Sequence, residues 1–296
     1  MDKPKLLWQS KAVLLLVLPA VGASVVLETH WWLQQTPAVA IWTLGLSAIL
    51  GLVALQLRSA TAGAALAGAA ICATMMFSTV SFPYLPWRTA LVPLFVVLLL
   101  ASIATRMGRR HKEELGTAES RKGRSASQVA ANLGIAALVS QNVVQAWIAE
   151  SHWFSRLAFA QIPVLAPALA ALAEAAADTV SSELGQVMSG HPRLITTLRR
   201  VPSGTDGAVS LGGTAAGVIA AAAVATAGSW ALRGGMTLTA IAWAGGVLGL
   251  FFDSVLGATL EQRGWLNNDA VNFLSTASSA IFALGAMAIL PHPGAG

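Results

Sequence analysis

Charge is scarce in this chain. Asp, Glu, Lys and Arg make up 10% of its 296 residues, whereas ordinary soluble domains carry about 25%. With 55% hydrophobic residues and a mean hydropathy of +0.67, the chain has too little polar surface to cover an aqueous exterior, so lipid must satisfy much of it. Cysteine is nearly absent. Cys72 stands alone inside an apolar run, which excludes an intrachain disulfide. Histidine is also sparse: His30, His111, His152, His191 and His292 are scattered without metal-ligand spacing, which excludes a Cys/His zinc site. Internal repeats and low-complexity linkers are lacking. The net charge of +5 is modest, and nucleic acid is not among the expected partners.

What the chain does have is a succession of apolar stretches. A helix that crosses a bilayer needs roughly 17–25 residues. About nine stretches qualify, near 12–28, 36–56, 60–80, 89–105, 127–147, 157–182, 210–231, 236–257 and 271–290. The expected fold class is therefore all-α, a polytopic transmembrane helical bundle. Lys3, Lys5 and Lys11 precede the first stretch, which reads as a retained signal-anchor because further spans follow it. Basic residues mark the cytoplasmic side. With the N-terminus inside, all of the 18 Lys and Arg residues except Arg88, Arg156 and Arg233 fall on that side. The expected organisation is an N-terminal transmembrane region (1–105), a basic cytoplasmic loop (106–125) that is mostly solvated, and a catalytic transmembrane core (126–296). The expected location is the inner or plasma membrane, with the working loops facing the cytoplasm.

Polar residues at membrane depth are concentrated in that core. On the sixth stretch Glu174, Asp178, Ser181, Ser182 and Gly185 share one helix face. Glu183 lies about 140° round from Asp178, since five residues of helix turn roughly 500°. Both acids reach one cation only if the helix breaks near Gly185. Acids at a helix C-terminus oppose its partial negative charge, and Mg²⁺, which takes one or two carboxylates plus phosphate oxygens, would compensate them. A pair of acids neutralised by Arg199 or Arg200 is the structural alternative.

The following loop carries Arg199, Arg200, Ser203, Gly204, Thr205, Asp206, Gly207 and Ser210. Its glycines let backbone N–H groups close on an oxyanion, and Ser203 or Ser210 can cap the next helix, whose N-terminus favours phosphate. It is not a Walker A loop, and a plain basic turn is as good a reading on spacing alone. Farther on, Gly245, Gly249, Asp253 and Gly257 recur every fourth residue, so Asp253 should point into a packed bundle. Asn268, Asn272 and Ser275 share a face of the last stretch, and Gln128 and Asn132 open the fifth. By the charge topology all these groups lie at the cytoplasmic ends of their helices, which points to one shared site.

The stretches that carry a family resemblance are Gln128-Val129-Ala130-Ala131-Asn132, residues 177–185 (Ala-Asp-Thr-Val-Ser-Ser-Glu-Leu-Gly), residues 201–210 (Val-Pro-Ser-Gly-Thr-Asp-Gly-Ala-Val-Ser), Asp253-Ser254-Val255-Leu256-Gly257-Ala258 and Asn268-Asp269-Ala270-Val271-Asn272. In order and spacing they resemble the phytyl-phosphate kinase family of integral membrane proteins, with Leu133 where that family tends to have glycine. More distantly they are similar to dolichol kinase and phosphatidate cytidylyltransferase. The resemblance implies a Mg²⁺-dependent kinase that passes a phosphoryl group from CTP or ATP to a polyisoprenyl monophosphate. It implies roles as follows: Asp178, Glu183 and Asp253, with Asp269 weaker, for the metal; Arg199, Arg200 and the backbone of residues 203–207 for phosphates; Asn132, Ser182, Ser210, Asn268 and Asn272 for orientation. The alternatives are a CTP-dependent lipid-phosphate cytidylyltransferase and a lipid-phosphate or ion transporter. A homodimer is a further expectation, because faces such as Gly213 to Gly217 can pack within a chain or between two.

Overall fold

A computed structural model describes residues 7–118, 120, 122–150, 165–188 and 191–289. The chain folds as helices α1 (Leu7–Gln35), α2 (Pro37–Gln56), α3 (Ala62–Ser78), α4 (Leu91–Arg106), α5 (Arg109–Glu114), α6 (Ala126–Ser140), α7 (Asn142–Glu150), α8 (Ala166–Met188), α9 (Leu211–Ala231), α10 (Gly235–Leu256) and α11 (Asn268–Ile289). Strands β1 (Arg193–Leu194) and β2 (Ala208–Val209) pair antiparallel between α8 and α9. Beyond α10 the helix continues as a π-helical turn, Gly257–Glu261.

α8 is the centre of the bundle, packed against α4, α6, α9, α10 and α11. Every residue from Ala166 to Ala177 on it is buried, and most are alanine, so neighbouring backbones approach closely. α9 comes nearest. A Cβ added at Gly213 would lie 2.6 Å from the Ser181 carbonyl oxygen, and one at Gly217 would lie 2.8 Å from that of Ala177. The Gly213–Gly217 face is thus used within the chain, against α8. The small-residue face of α10 docks on α8 beside α9, where Gly246 meets Ala173 and Gly249 meets Glu174.

Local chemistry fixes the helix starts. Ser125 and Gln128 form a reciprocal capping box at α6. Ser210 caps α9 by accepting from the Gly213 N–H, and the Asn267 side chain accepts from Ala270 N–H at the start of α11.

The outer surface is apolar. Leu15, Val26, Ile41, Leu66, Ile219 and Ile281 are each more than three-fifths exposed, as a lipid-facing bundle requires. The count of about nine spans is not confirmed. Among the described residues five helices (α1, α2, α9, α10 with its π turn, and α11) are long and apolar enough to cross a membrane, and six if α6 and α7, bent by 56°, form one broken span. α3 and α4 are apolar but shorter. α8 is a different case: protein surrounds it, so its composition reports a packed interior and not contact with lipid. Residues 157–164 of the expected sixth stretch lie outside the described residues.

The 106–125 segment is mostly exposed but is not all loop. It contains α5, whose Lys112 is 1% exposed, with its ammonium donating to the Ala104 and Thr105 carbonyls at 3.0 Å each and to Glu183 Oε2 at 2.6 Å.

Candidate active site

A polar cavity of ≈ 240 Å³ opens where the ends of α6, α8, α10 and α11 meet the loop between β1 and β2. It draws together most of the residues expected from sequence: Asn132, Asp178, Ser182, Glu183, Ser203, Gly204, Thr205, Gly207, Ser210, Asp253, Asn268 and Asn272 all line it.

The loop reaches the cavity because glycine lets it. Gly204 and Gly207 have φ of +83° and +72°, a region that side chains with a Cβ resist. A Cβ at Gly207 would lie 2.5 Å from the Ser254 carbonyl oxygen and closer still to the Ala258 nitrogen. The loop backbone therefore rests directly on the α10 π turn, and Gln262 Nε2 holds it there by donating to the Asp206 carbonyl at 2.8 Å. Thr205 turns inward on its own loop, its hydroxyl donating to Pro202 O at 2.7 Å. Across the cavity Asn272 Nδ2 donates to Asn132 Oδ1 at 3.3 Å, while Asn132 Nδ2 donates to Gln128 O at 2.8 Å. These two asparagines link α6 directly to α11, and both helices also pack on α8.

The acids divide into two groups. Glu174 (1% exposed) on α8 and Asp253 on α10 lie near enough to Asp178 for their charges to interact. Both Glu174 carboxylate oxygens and Asp253 Oδ2 are buried with no hydrogen-bond partner. The Ser275 hydroxyl lies beside both acids but donates to Asn272 O. Ser182 donates to Asp178 Oδ1 at 3.3 Å. Buried carboxylate oxygens without donors are costly unless a cation or proton answers them.

Glu183 lines only the edge of the cavity. α8 runs unbroken through Gly185 to Met188, so the expected helix break is absent. The Glu183 carboxylate is engaged by α4 and α5, with Oε2 accepting from Lys112 and Oε1 from Thr105. Its charge is already neutralised, and the arginines of the following loop are not needed for that.

Arg199 and Arg200 do not line the cavity. The loop doubles back, with Leu194 N–H donating to Arg199 O and Arg200 bridging Arg193, and both arginines are exposed on its outer turn. The guanidinium that does line the cavity is Arg124, which donates to Thr179 Oγ1 at 3.2 Å. Its backbone is clamped, since Thr61 N–H donates to Arg124 O and Arg124 N–H to Ser59 O at 2.9 and 3.0 Å. Asp269 does not line the cavity either. It is buried in the first turn of α11, where its charge suits the helix N-terminus. The expected four-acid metal set is thus not assembled. Among the described residues no three Asp, Glu, His or Cys side chains are grouped as a ready metal cage.

Two residues at the site had no role assigned from sequence. Glu174 shares the face of Asp178, one turn before it, and that spacing carries the signal. Arg124 directly precedes the Ser125–Gln128 capping box, so helix-start chemistry could have placed it at the cavity mouth.

The family model for the integral membrane protein DUF92 matches residues 45–280, a span that contains every lining residue of the cavity. The chain is 43% identical to the membrane protein MJ0933 of Methanocaldococcus jannaschii over 108 residues, 36% of this chain and 45% of that protein. It is 32% identical to the membrane protein sll0875 of Synechocystis over 212 residues, 68% of this chain and 74% of that one. It is 29% identical to Protein VTE6, chloroplastic, of Arabidopsis thaliana over 191 residues, 63% of this chain and 55% of that one. The match thus spans under half of the first of these relatives and just over half of the last. No solved structure matches the chain.

Proposed function

The chain belongs to the DUF92 family of integral membrane proteins, and from that premise we propose that it is a membrane phosphotransferase. It moves the terminal phosphoryl group of CTP or ATP onto a polyisoprenyl, phytyl-like monophosphate, giving the diphosphate and a nucleoside diphosphate. The observation that carries this reading is the convergence of unpartnered acids, asparagines, a guanidinium and a glycine-opened backbone loop on one cavity. The resemblance in residues 128–272 supplies the substrate class.

The lining suits the chemistry. A phosphate monoester has its second pKa near 6, so the acceptor oxygen is ionised at neutral pH and needs no strong base; the cavity lining contains no histidine. What remains is to hold two anions in line, which is work for positioning and electrostatics. Arg124 draws the acceptor phosphate to the cavity edge. The positive φ of Gly204 and Gly207 folds the loop against the cavity, where any loop N–H not bonded within the loop, as those of Thr205 and Ala208 are, can meet phosphate oxygens, and α9 begins at the same edge behind its Ser210 cap. Asn132 and Asn272 fix the angle between α6 and α11, with amide groups left to orient phosphate oxygens.

Mg²⁺ fits the donor set. The hard, partnerless oxygens of Glu174 and Asp253 beside Asp178 match an ion that takes one or two carboxylates and completes its shell with phosphate and water. It would supply charge neutralisation on the donor phosphates, and Asp178 and Asp253 would hold it.

The test uses the purified full chain in liposomes with γ-labelled CTP or ATP and a panel of prenyl monophosphates, with and without Mg²⁺. The expected result is Mg²⁺-dependent label in the prenyl diphosphate. Release of pyrophosphate with a CMP-linked lipid would assign the cytidylyltransferase reaction instead. Transport without turnover would replace both.

A further inference from the structure

A second cavity, ≈ 640 Å³, adjoins the polar one without reaching Glu174, Asp178 or Asp253, and the one acid in its lining is Glu113. It lies between α2 and α3 on one side and α4 on the other, with α6 as its floor. α2 packs along α3 and α3 along α6, whereas α4 leans mainly on α8 and α9; the gap left between α2 and α4 is this groove. Its body is apolar, walled by Leu50, Ala54, Leu94, Val97, Leu98 and Leu133. One end is cationic, with Arg58, Arg106, Arg109 and Arg124 gathered there. Along α4 the wall from Leu94 to Arg106 spans about 18 Å at 1.5 Å per residue.

We propose that this groove is the binding site of the acceptor lipid: a single-chain prenyl monophosphate lies with its tail between α2, α3 and α4 and its phosphate among the four arginines. The proposal rests on the kinase reading and adds where the acceptor sits. Charge complementarity selects the occupant. A neutral lipid has no use for the cationic end, and a nucleotide has none for the apolar body. A guanidinium offers five N–H donors, so Arg106 on the Leu57 carbonyl and Arg124 on Thr179 each have more donors than these bonds use, while Arg109 adds positive charge beside Glu113.

Continuity with the polar cavity fixes the direction. Arg124 and Asn132 line both cavities, so a phosphate at Arg124 stands at the doorway to Asp178 with its tail pointing away. Gly123 makes that doorway possible. Its φ is +81°, and a Cβ there would fall 2.5 Å from the Ala60 nitrogen, so only glycine lets the 57–61 connection and Arg124 lie side by side. The N-terminal helices then do more than anchor the chain, because they measure and hold the substrate tail.

The proposal is tested by photolabelling the full chain in zwitterionic nanodiscs, without nucleotide, using geranylgeranyl monophosphate with a diazirine at its tail end. Cross-links are expected on α3 and α4 inside the groove, displaced by unmodified geranylgeranyl monophosphate but not by geranylgeraniol. Gly68→Leu should cut groove labelling about tenfold, because a Cβ at Gly68 meets only Val129 Cγ1 at 3.8 Å and the longer side chain fills the groove. Arg58→Gln should weaken displacement by the phosphate form. Labels confined to the outer faces of α1 and α9, or equal displacement by two-tailed phosphatidate, would overturn the proposal. Turnover measured in the same preparation separates the two ideas. Groove labelling without prenyl diphosphate formation would keep the site and sink the kinase reading; turnover without groove labelling would do the reverse.

Discussion

Asp178 and Glu183 are five residues apart on one helix and do opposite work. Asp178 lines the cavity beside Asp253 and Glu174, with Ser182 donating to it, so a cation bound in the cavity can meet its charge. Replacing it by Asn keeps size and hydrogen bonding while removing charge. Asp178→Asn and Asp253→Asn should each lower turnover by about 10²–10³-fold, the scale for losing one group that stabilises developing charge, with the detergent-solubilised protein still folded by circular dichroism. Full activity in either would remove that residue from the site. Glu183 instead completes a buried ion pair. Lys112→Met leaves its carboxylate without a counter-charge and should cost about 3–5 kcal/mol, whereas pairing it with Glu183→Leu should recover most of that loss. Thermal unfolding of the two variants decides this, and equal stability of the single variant with the wild type would refute the pair's role. Sequence identified both acids as important. It could not tell them apart, because the partner of Glu183 comes from α5, some seventy residues earlier, and no local spacing announces that contact.

Helix ends were more legible than helix partners. Ser210 caps α9, as its place before an apolar stretch suggests, and the α6 capping box, Ser125 with Gln128, is written in residues just as close although only its Gln128 stands out from the sequence. The small-residue face of α10 was equally readable, since a recurrence every fourth residue has one structural meaning. Its partner was not, because glycine says that something comes close without saying what. That something is Glu174 and the backbone of α11: a Cβ at Gly249 would lie 2.5 Å from Glu174 Cγ and 3.1 Å from the Ser275 carbonyl oxygen. Gly249→Ala should therefore destabilise the bundle by about 1–3 kcal/mol through overpacking and shift Glu174, read as a lowered melting temperature with weakened Mg²⁺ dependence. At the other end of α10 the π turn carries the loop backbone. Gly207→Ala should detach the loop from it, raising the KM for nucleotide more than it lowers kcat; unchanged kinetics would show that the loop does not touch substrate.

Across the whole molecule the charge pattern makes a statement that labelling can check. Cys72 is fully buried, so the wild-type chain should be silent to a maleimide that does not cross membranes. Thr196 is exposed on the loop beside the cavity. Thr196→Cys is expected to react only after the membrane is permeabilised, if the site faces the cytoplasm as the basic residues predict. Reaction in intact cells would invert the topology.

Composition alone determined that this chain is a helical membrane protein, because so little charge cannot clothe a soluble fold. The order of acidic helix, glycine-opened loop and Asp-bearing helix also determined which segments to watch. Only the tertiary structure decided that α8 is wrapped by protein, that Glu183 goes to Lys112, and that Arg124 takes the place expected of Arg199 and Arg200 at the cavity. The reason is physical. Hydropathy records how apolar a segment is, not whether lipid or alanine covers it, and a charge settles on whichever opposite charge the packing brings nearest, however far away that residue lies in the chain.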